Sequence, residues 1–394
     1  MPETSILLEA FKNSNFQDAR EILKDESNMP ADLQPFKRIQ LFDKLVKHKA
    51  FDLILLFTER KLIETDLYEY DTFNDTILDS ILSNLKADVD DLDFLEAFLK
   101  SLTNINDAVA NQTLLSYAFE KGAEVLVIKS LIDAGCDPND VNQAEENYLH
   151  QIAANNRIEP EIAVLYLELM INEGLDVNAA DIVKQTPLII AISRNKELLI
   201  ELLLESGAGC NIPDQKEETA FYHAVVHQQN LPLYLKLKEY EMPDFDLANK
   251  NGETILFQFL RRLNRPSEMA LEFLTKLLED GADLYAPATY YGKDKTPVEV
   301  VAEQSFLVFN TVLQLNLIEV NRVDQHGDSI LHQVCAFDIN FDQEMAKDTY
   351  RKVKLLIEKG ADVNLTNNND ETPLMLASSD NLKAKTVELL LVHK

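Results

Sequence analysis

One feature of this sequence restricts its possible folds more than any other: a helical pattern returns about every 33 residues. The clearest copy begins at Asp181 and reads DIVKQTPLIIAISRNKELLIELLLESGAGCNI. A second copy near the end of the sequence reads NNNDETPLMLASSDNLKAKTVELLLVHK. Repetition of this kind is typical of arrays in which each repeat cannot bury its apolar face alone and must stack on its neighbours.

The threonine of the TPL triplet, or the residue that replaces it, marks the phase of each repeat. These residues are Thr76, Thr113, Asn147, Thr186, Thr219, Thr254, Thr296, Ser329 and Thr372. The intervals between them are 37, 34, 39, 33, 35, 42, 33 and 43 residues, which indicates a 33-residue unit with loop insertions of up to ten residues. A glycine-containing turn is the second landmark, at residues 134–139, 173–178, 206–211, 280–285 and 359–364.

The first half of each repeat has the chemistry of a helix start. In the copy from Asp181, Thr186 is a natural N-cap, and Pro187 fits the first helical turn, where its missing N–H costs nothing. Leu188, Ala191 and Ile192 then fall at i, i+3 and i+4. This spacing predicts an apolar stripe on one face of the helix.

The second half of the repeat predicts another helix, which begins after Asn195. We expect its apolar stripe to consist of Leu198, Leu199, Leu202 and Leu203. Gly207 follows the last apolar position, where a residue with positive φ closes a helix at least cost. Each repeat is therefore predicted to be a helical hairpin with one apolar side.

The TPL triplet, the helix pair and the Gly-Ala-Asp-Val-Asn turn at fixed offsets resemble the ankyrin repeat family. The resemblance covers residues 104 to 391 and implies an all-α solenoid of stacked helix-turn-helix units with short β-turn fingers. We assign 104–394 to the repeat array and 1–103 to divergent helical N-terminal capping repeats, with a separate small helical domain as the alternative. The last repeat ends inside its second helix, so the sequence leaves open whether the chain continues.

The charge balance is strongly acidic: 37 basic and 67 acidic residues give a formal net charge of -30 and a pI near 4.5. Such a charge repels nucleic acid and anionic membranes. It either favours encounter with a basic protein partner or simply keeps the chain soluble. We expect a protein that is monomeric on its own.

The beginning of the chain lacks the basic flank of a signal peptide, since residues 1–11 contain Glu3 and Glu9 but no lysine or arginine. No apolar run approaches the length of a membrane span. We therefore expect a cytoplasmic protein, unless a system without a cleaved signal exports it.

Residues that resemble catalytic or metal-binding groups have structural explanations. By the family resemblance, His150 and His332 are TPLH histidines, which tie neighbouring hairpin turns together by hydrogen bonds. Cys136, Cys210 and Cys335 show no CxxC spacing and follow the repeat phase. A dyad of Cys335 and His332 would share one helical face, but nothing in the sequence lowers the thiol pKa.

The acidic run at residues 88–93 is the remaining candidate for a metal site. A calcium loop that starts at Asp88 would need glycine at its sixth position and glutamate at its twelfth, and neither is present. We expect Asp88 and Asp90 to begin a helix instead. The scattered glycines form no phosphate-binding loop, and neither HExxH nor GxSxG occurs. The prediction is a protein without enzyme activity, cofactor or metal.

The family resemblance places partner binding on a concave surface made by the β-turn fingers and the exposed ends of the first helices. The finger residues are Ile182, Val183, Gln185, Gln215, Lys216, Glu218, Lys250, Asn251 and Glu253; the helix-end residues are Arg194, His227, Arg261 and Arg262. An insertion at residues 286–295 adds Tyr290 and Tyr291. Ile182 and Val183 are apolar where turns are usually polar, and Arg261-Arg262 is a positive doublet in an acidic chain.

These observations predict a protein–protein interaction module that binds a protein partner on the concave face. One alternative is an acidic inhibitor or immunity protein that neutralises a basic enzyme, which would give salt-sensitive association. A second alternative is the targeting part of a larger effector protein.

Overall fold

The structure is a computed structural model that describes residues 2–263, 266–290 and 292–394. The chain divides into two compact units, Met1–Gly209 and Cys210–Lys394. Both units are built from helical hairpins, so the all-α fold class predicted from the sequence is confirmed. The described helices are all too short or too polar to cross a membrane.

The helices of the first unit follow one another as pairs. They are α1 Pro2–Lys12, α2 Phe16–Leu23, α3 Leu41–Lys47, α4 Phe51–Glu59, α5 Ile77–Asn84, α6 Val89–Leu99, α7 Leu114–Lys121, α8 Val125–Asp133, α9 Tyr148–Ala154, α10 Pro160–Asn172, α11 Pro187–Ser193 and α12 Glu197–Glu205. Three short 3₁₀ helices lie at Glu26–Asn28, Gln34–Ile39 and Leu67–Glu69. The segments at 41–46 and 51–57 are helical, as predicted. The division of the chain at residue 103 stays a prediction.

The second unit continues the same pattern. Its helices are α13 Ala220–Tyr222, a π-helical turn His223–His227, α14 Leu231–Tyr240, α15 Ile255–Arg261, α16 Glu268–Glu279, α17 Pro297–Glu303, α18 Phe306–Gln314, α19 Ile330–Ala336, α20 Gln343–Glu358, α21 Pro373–Ala377, a 3₁₀ helix Asn381–Lys383 and α22 Ala384–Val392. Its two strands are β1 Ala288–Tyr290 and β2 Lys293–Lys295.

Every phase marker of the repeat is the N-cap of a first helix. In seven of the nine, from Thr76 to Thr372, the side chain accepts a hydrogen bond from a backbone N–H three residues later. At Thr296 and Ser329 the third helical residue, Glu299 or His332, reaches back to the backbone N–H of the cap. The capping chemistry therefore fixes where each repeat begins.

Stacking of successive hairpins buries the core of each unit. In the first unit, α3, α5, α7, α9 and α11 contact one another in order, and so do α6, α8, α10 and α12. In the second unit, the π-helical turn, α15, α17, α19 and α21 form one row, and α16, α18, α20 and α22 form another. The predicted stripe of Leu188, Ala191 and Ile192 is fully buried in α11.

The predicted stripe of α12 is wrong by one residue. Leu199 and Leu203 are buried as expected, but Ile200 and Leu204 complete the core, whereas Leu198 is 45% exposed. The reason is that α12 packs against two helices, α10 and α11, so its buried face includes two adjacent positions in each turn. The spacing i, i+3, i+4 alone does not reveal on which side the second neighbour lies.

The insertion at residues 286–295 forms a β-hairpin that the sequence analysis did not predict. Ala288 pairs with Lys295 and Tyr290 with Lys293 in antiparallel register. The N–H of Thr289 donates to the carbonyl of Gly252 at 3.4 Å, which places the hairpin beside the finger of the preceding repeat.

Candidate functional site

The fingers are five-residue turns with one shared hydrogen-bond plan. They span residues 142–146, 181–185, 214–218, 249–253, 324–328 and 367–371. In each finger the backbone N–H of the first residue donates to the carbonyl of the fifth at 3.0 or 3.1 Å. The first residue is always Asp or Asn, and its Oδ1 accepts from N–H groups of the third and fifth residues. The tips are therefore held in a defined conformation.

The finger at 181–185 carries the apolar pair on such a turn. Asp181 Oδ1 accepts from Val183 N at 2.9 Å and from Gln185 N at 2.7 Å, and Lys184 takes the positive φ that the turn requires, +59°. The N–H of Ile182 donates to the carbonyl of Ala144 at 2.9 Å, which links this finger to the one before it. The side chains of Ile182 and Val183 remain 58% and 39% exposed.

The corresponding positions in other fingers are mostly polar. The second and third residues are Gln143 and Ala144, Gln215 and Lys216, Lys250 and Asn251, Gln325 and His326, and Asn368 and Asn369. Because the turn plan is the same, the apolar pair at 182–183 is not required to build the finger. Exposed apolar side chains that a fold does not need are candidates for a contact surface.

The structure confirms the tying role of the two TPLH histidines. Both are fully buried. His150 Nε2 lies 3.1 Å from the carbonyl of Gln185, and His332 Nε2 lies 3.1 Å from the carbonyl of Leu365. On the other side of each ring, Nδ1 accepts from the backbone N–H of the N-cap residue. Each imidazole thus bridges its own helix start and the next repeat.

The cysteines and the acidic run are structural, as predicted. All three thiols are free and buried, and burial raises the pKa of Cys136, Cys210 and Cys335 to about 12. A thiol with so high a pKa is a poor nucleophile. Asp88 is the N-cap of α6, accepting a bond from the N–H of Asp91.

Besides Ile182 and Val183, seven of the predicted binding residues have exposed side chains. They are Arg194 in the first unit and Gln215, Lys216, His227, Lys250, Asn251 and Arg262 in the second. Gln185 is half-buried, because its backbone carbonyl closes the finger and also lies within hydrogen-bond distance of His150 Nε2. Tyr291 lies outside the described residues.

Glu218 and Glu253 are not surface groups, although the repeat phase placed both on fingers. They are 7% and 5% exposed. Glu218 Oε2 lies 2.8 Å from His227 Nε2, and Glu253 Oε1 lies 2.8 Å from Arg261 Nη1. Each occupies the fifth position of its finger, where the chain turns inward toward the first helix, so its carboxylate pairs with the residue at that helix's far end.

The arginine doublet is engaged within its own unit. The guanidinium of Arg261 lies 4.2 Å from the ring centre of Tyr290 and pairs with Glu253. Arg262 donates to the carbonyl of Val226, near the end of the π-helical turn. The two side chains are therefore held in place by neighbouring repeats and by the hairpin.

These groups line an open cavity of about 770 Å³ in the second unit. Its lining residues are Asn251, Glu253, Gln258, Arg261, Arg262, Thr289 and Tyr290. Five of these seven lining residues were predicted from the sequence as binding residues, whereas Gln258 and Thr289 were not. Thr289 lines the cavity because the two strands of the β-hairpin pair with each other. In the sequence, the signal for this hairpin was Gly292, whose φ is +74°.

A half-buried histidine of the preceding repeat, His223, has a shifted pKa. His223 is half-buried, and burial followed by the neighbouring charge of His227 lowers its pKa. Burial opposes ionisation of Glu218, but the hydrogen bond and charge of His227 outweigh it, so the pKa of Glu218 is lowered. Glu218 and His227 were predicted from the sequence as binding residues, whereas His223 was not.

Comparison with known proteins agrees with this geometry. The family model for ankyrin repeats, in three copies, matches residues 115–214. The chain therefore contains ankyrin repeats at residues 115–214.

Similar curated proteins include Protein glp-1 of Caenorhabditis elegans, 30% identical over 39% of this chain and 13% of that protein. E3 ubiquitin-protein ligase KEG of Arabidopsis thaliana is 29% identical over 40% of this chain and 10% of that protein. B-cell lymphoma 3 protein homolog of Mus musculus is 26% identical over 61% of this chain and 49% of that protein. The chain thus spans at most about half the length of these relatives. The crystal structure of the ankyrin repeat domain of Bcl-3 is 24% identical, with a TM-score of 0.48 over 62% of this chain and 99% of that one.

Proposed function

We propose that this chain is a protein-interaction module without enzyme activity, and that its main contact is the finger at residues 181–185. The observation that carries the proposal is the exposure of Ile182 and Val183 on a turn whose backbone N–H groups are all hydrogen-bonded. A rigid turn loses little conformational entropy on binding, so burial of its apolar side chains contributes directly to affinity.

Exposed polar side chains extend the proposed surface in each unit. Arg194 lies at the end of α11 in the same repeat as the apolar finger. In the second unit the contributors are Gln215, Lys216, His227, Lys250, Asn251 and Arg262, with the cavity beside Tyr290 as a pocket for an anchoring side chain. Protein interfaces combine apolar contacts with polar ones.

Photo-crosslinking tests this proposal. A photoreactive residue replaces Lys184 in the full chain, and a matched protein carries it at Glu145, the same turn position in the finger at 142–146. Both side chains are exposed. After irradiation in a lysate of cells that make the protein, we expect a discrete crosslinked partner from position 184 and little or none from position 145.

Crosslinking that is equal at both positions, or confined to position 145, would place the contact elsewhere. The unmodified chain, irradiated in the same lysate, controls for adducts that form without the photoreactive group.

The net charge of -30 also favours the second candidate, an acidic inhibitor of a basic enzyme. Opposite net charges accelerate encounter, and added salt screens that attraction. If the captured partner is basic and leaves the chain on a shift from low to moderate salt, the inhibitor function gains support. A partner retained at moderate salt points to the apolar contact instead.

A further inference from the structure

A cluster of three potential metal ligands lies in the first repeat of the second unit. Glu218 closes the finger at 214–218, and His223 and His227 stand at the two ends of the π-helical turn that follows. One donor atom from each of the three side chains lies within 4.8 Å of the other two.

The two histidines lie four residues apart on the π-helical turn, a spacing that puts both side chains on one face of a helix. Gln228 N donates to the carbonyl of His223, five residues back, at 3.0 Å, where an α-helix would bond four residues back. The imidazole centres are 4.9 Å apart. The first helices before and after it, α11 and α15, are regular. A single π-turn inside an array of α-helices is rare, and such turns are frequent at functional sites.

The packing around His223 leaves one ring nitrogen unsatisfied. Among the described residues, its Nε2 is buried and has no hydrogen-bond partner; the Oδ2 atom of Asp214 lies 4.0 Å away. Buried polar atoms are nearly always paired, so an unpaired imidazole nitrogen beside a carboxylate and a second imidazole suggests a missing ligand.

We propose that Glu218, His223 and His227 bind a divalent transition metal ion, with Zn²⁺ as the preferred ion. Two imidazoles and one carboxylate form a donor set typical of zinc, whereas Ca²⁺ and Mg²⁺ prefer oxygen ligands. Tetrahedral zinc holds its ligand atoms roughly 3.4 Å apart. On zinc binding, the 2.8 Å distance between Glu218 Oε2 and His227 Nε2 therefore increases slightly, and donor atoms that lie farther apart, up to 4.8 Å, move closer together.

The exposed side chain of His227 gives the ion access from solvent. Glu218 and His223 hold it from the buried side. Three protein ligands leave a fourth position for water. The site uses no residue of the finger at 181–185, the main proposed contact, and shares only His227 with the surrounding proposed surface. Zinc binding is measured without a protein partner, so its result is separate from the test of the protein contact.

The test is equilibrium dialysis of the full chain, freed of metal with a chelator, against ZnCl₂, with bound zinc measured per chain. We expect one Zn²⁺ per wild-type chain and at least about tenfold weaker binding by His227→Gln and by His223→Gln. A matched control replaces three exposed histidines together, His48→Gln, His326→Gln and His393→Gln, and should bind as the wild type does.

Co²⁺ in place of Zn²⁺ provides a second readout, because its visible absorption reports tetrahedral coordination by nitrogen and oxygen. Loss of that absorption in His227→Gln supports the site. Circular dichroism checks folding; if His223→Gln fails to fold, the exposed His227 variant decides. Zinc binding by His227→Gln equal to that of the wild type, or lost only in the triple control, would overturn the proposal.

Discussion

Basic side chains reach from one repeat to the helix end of the repeat before it. Lys44 donates to the carbonyl of Lys12, Lys352 to that of Ala302 and Lys383 to that of Cys335, each at 2.8 Å. Lys196 and Arg262 make the same kind of bond to Asn155 and Val226. The last carbonyls of a helix have no partner within it and carry partial negative charge. A cationic side chain from the next repeat supplies both a hydrogen-bond donor and a positive charge to these carbonyls.

The most buried of these groups, Lys352, predicts a pH dependence of stability. Its residue is 1% exposed, and burial lowers the pKa of its amine from 10.5 to about 8. Between these two pKa values the unfolded chain holds a proton that the folded chain has released, so the free energy of unfolding rises with pH. From about pH 8 to about pH 10 we expect a gain of roughly 2–3 kcal/mol from this residue.

Urea unfolding of the wild type and of Lys352→Met at both pH values measures this gain. The wild type should become more stable relative to the variant at the higher pH. Burial also lowers the pKa of Lys383, but this lysine is present in both proteins, so its contribution to the free energy of unfolding cancels in the comparison. A difference between the two proteins that does not vary with pH would mean that the Lys352 amine is not desolvated in the folded chain.

At the scale of single residues, the sequence predicted what depends on local chemistry. The N-cap threonines and the glycine at the end of α12 act as expected because neighbours a few residues away decide their roles. The TPLH histidines act as the family resemblance implied, each bonding to the next repeat. The burial of Glu218 and the bonds from basic side chains to the preceding repeat were not predicted. Both depend on which group lies opposite the side chain in the folded chain: His227 for Glu218, and a backbone carbonyl for each cation.

The finger is the element that joins one repeat to the next. Asn368 N donates to the carbonyl of His326 at 2.9 Å, and Lys250 N donates to that of Lys216 at 3.0 Å. These bonds form a short ladder between finger tips, and they require close approach of the two backbones. Gly327 lies at the closest point: a Cβ atom there would be 2.9 Å from Asn368 N.

Gly327→Ala should therefore destabilise the second unit more than its backbone angle alone requires. Its φ is +79°, and the added methyl group would push the next finger away. We expect a loss of about 2–4 kcal/mol. Gly360→Ala is the matched control, since Gly360 has φ +88° with open space around it and should cost only about 1 kcal/mol. Urea unfolding that gives equal losses would show that the ladder tolerates the displacement.

At the scale of elements, the helical hairpins could be predicted but the π-helical turn and the β-hairpin could not. Apolar periodicity and capping residues specify where helices lie. The π-turn adds a residue inside a helix without any composition signal, since His223–His227 reads like the neighbouring first helices. The register of α12 was missed for a related reason: its second packing partner is another repeat.

The whole molecule combines a strongly acidic charge with a repeat array whose finger tips vary. A net charge of -30 repels other chains of the same charge and attracts positively charged proteins, so we expect salt to slow encounter with a basic partner. Specificity is expected to come from the tips, because the array holds their backbones in one plan while their side chains change. The apolar pair Ile182 and Val183 is the clearest departure from the polar tips of the other fingers.

The most direct test of the proposed contact at Ile182 and Val183 is the affinity of the captured partner for three forms of the full chain, measured by titration calorimetry. The forms are the wild type, the double variant Ile182→Gln with Val183→Lys, which copies the tip at 215–216, and the control Leu126→Gln, which removes an equally exposed leucine from α8. We predict that the double variant binds at least about tenfold more weakly at low and moderate salt alike, while the control binds as the wild type does. Unchanged affinity of the double variant, or an equal loss in the control, would contradict the account.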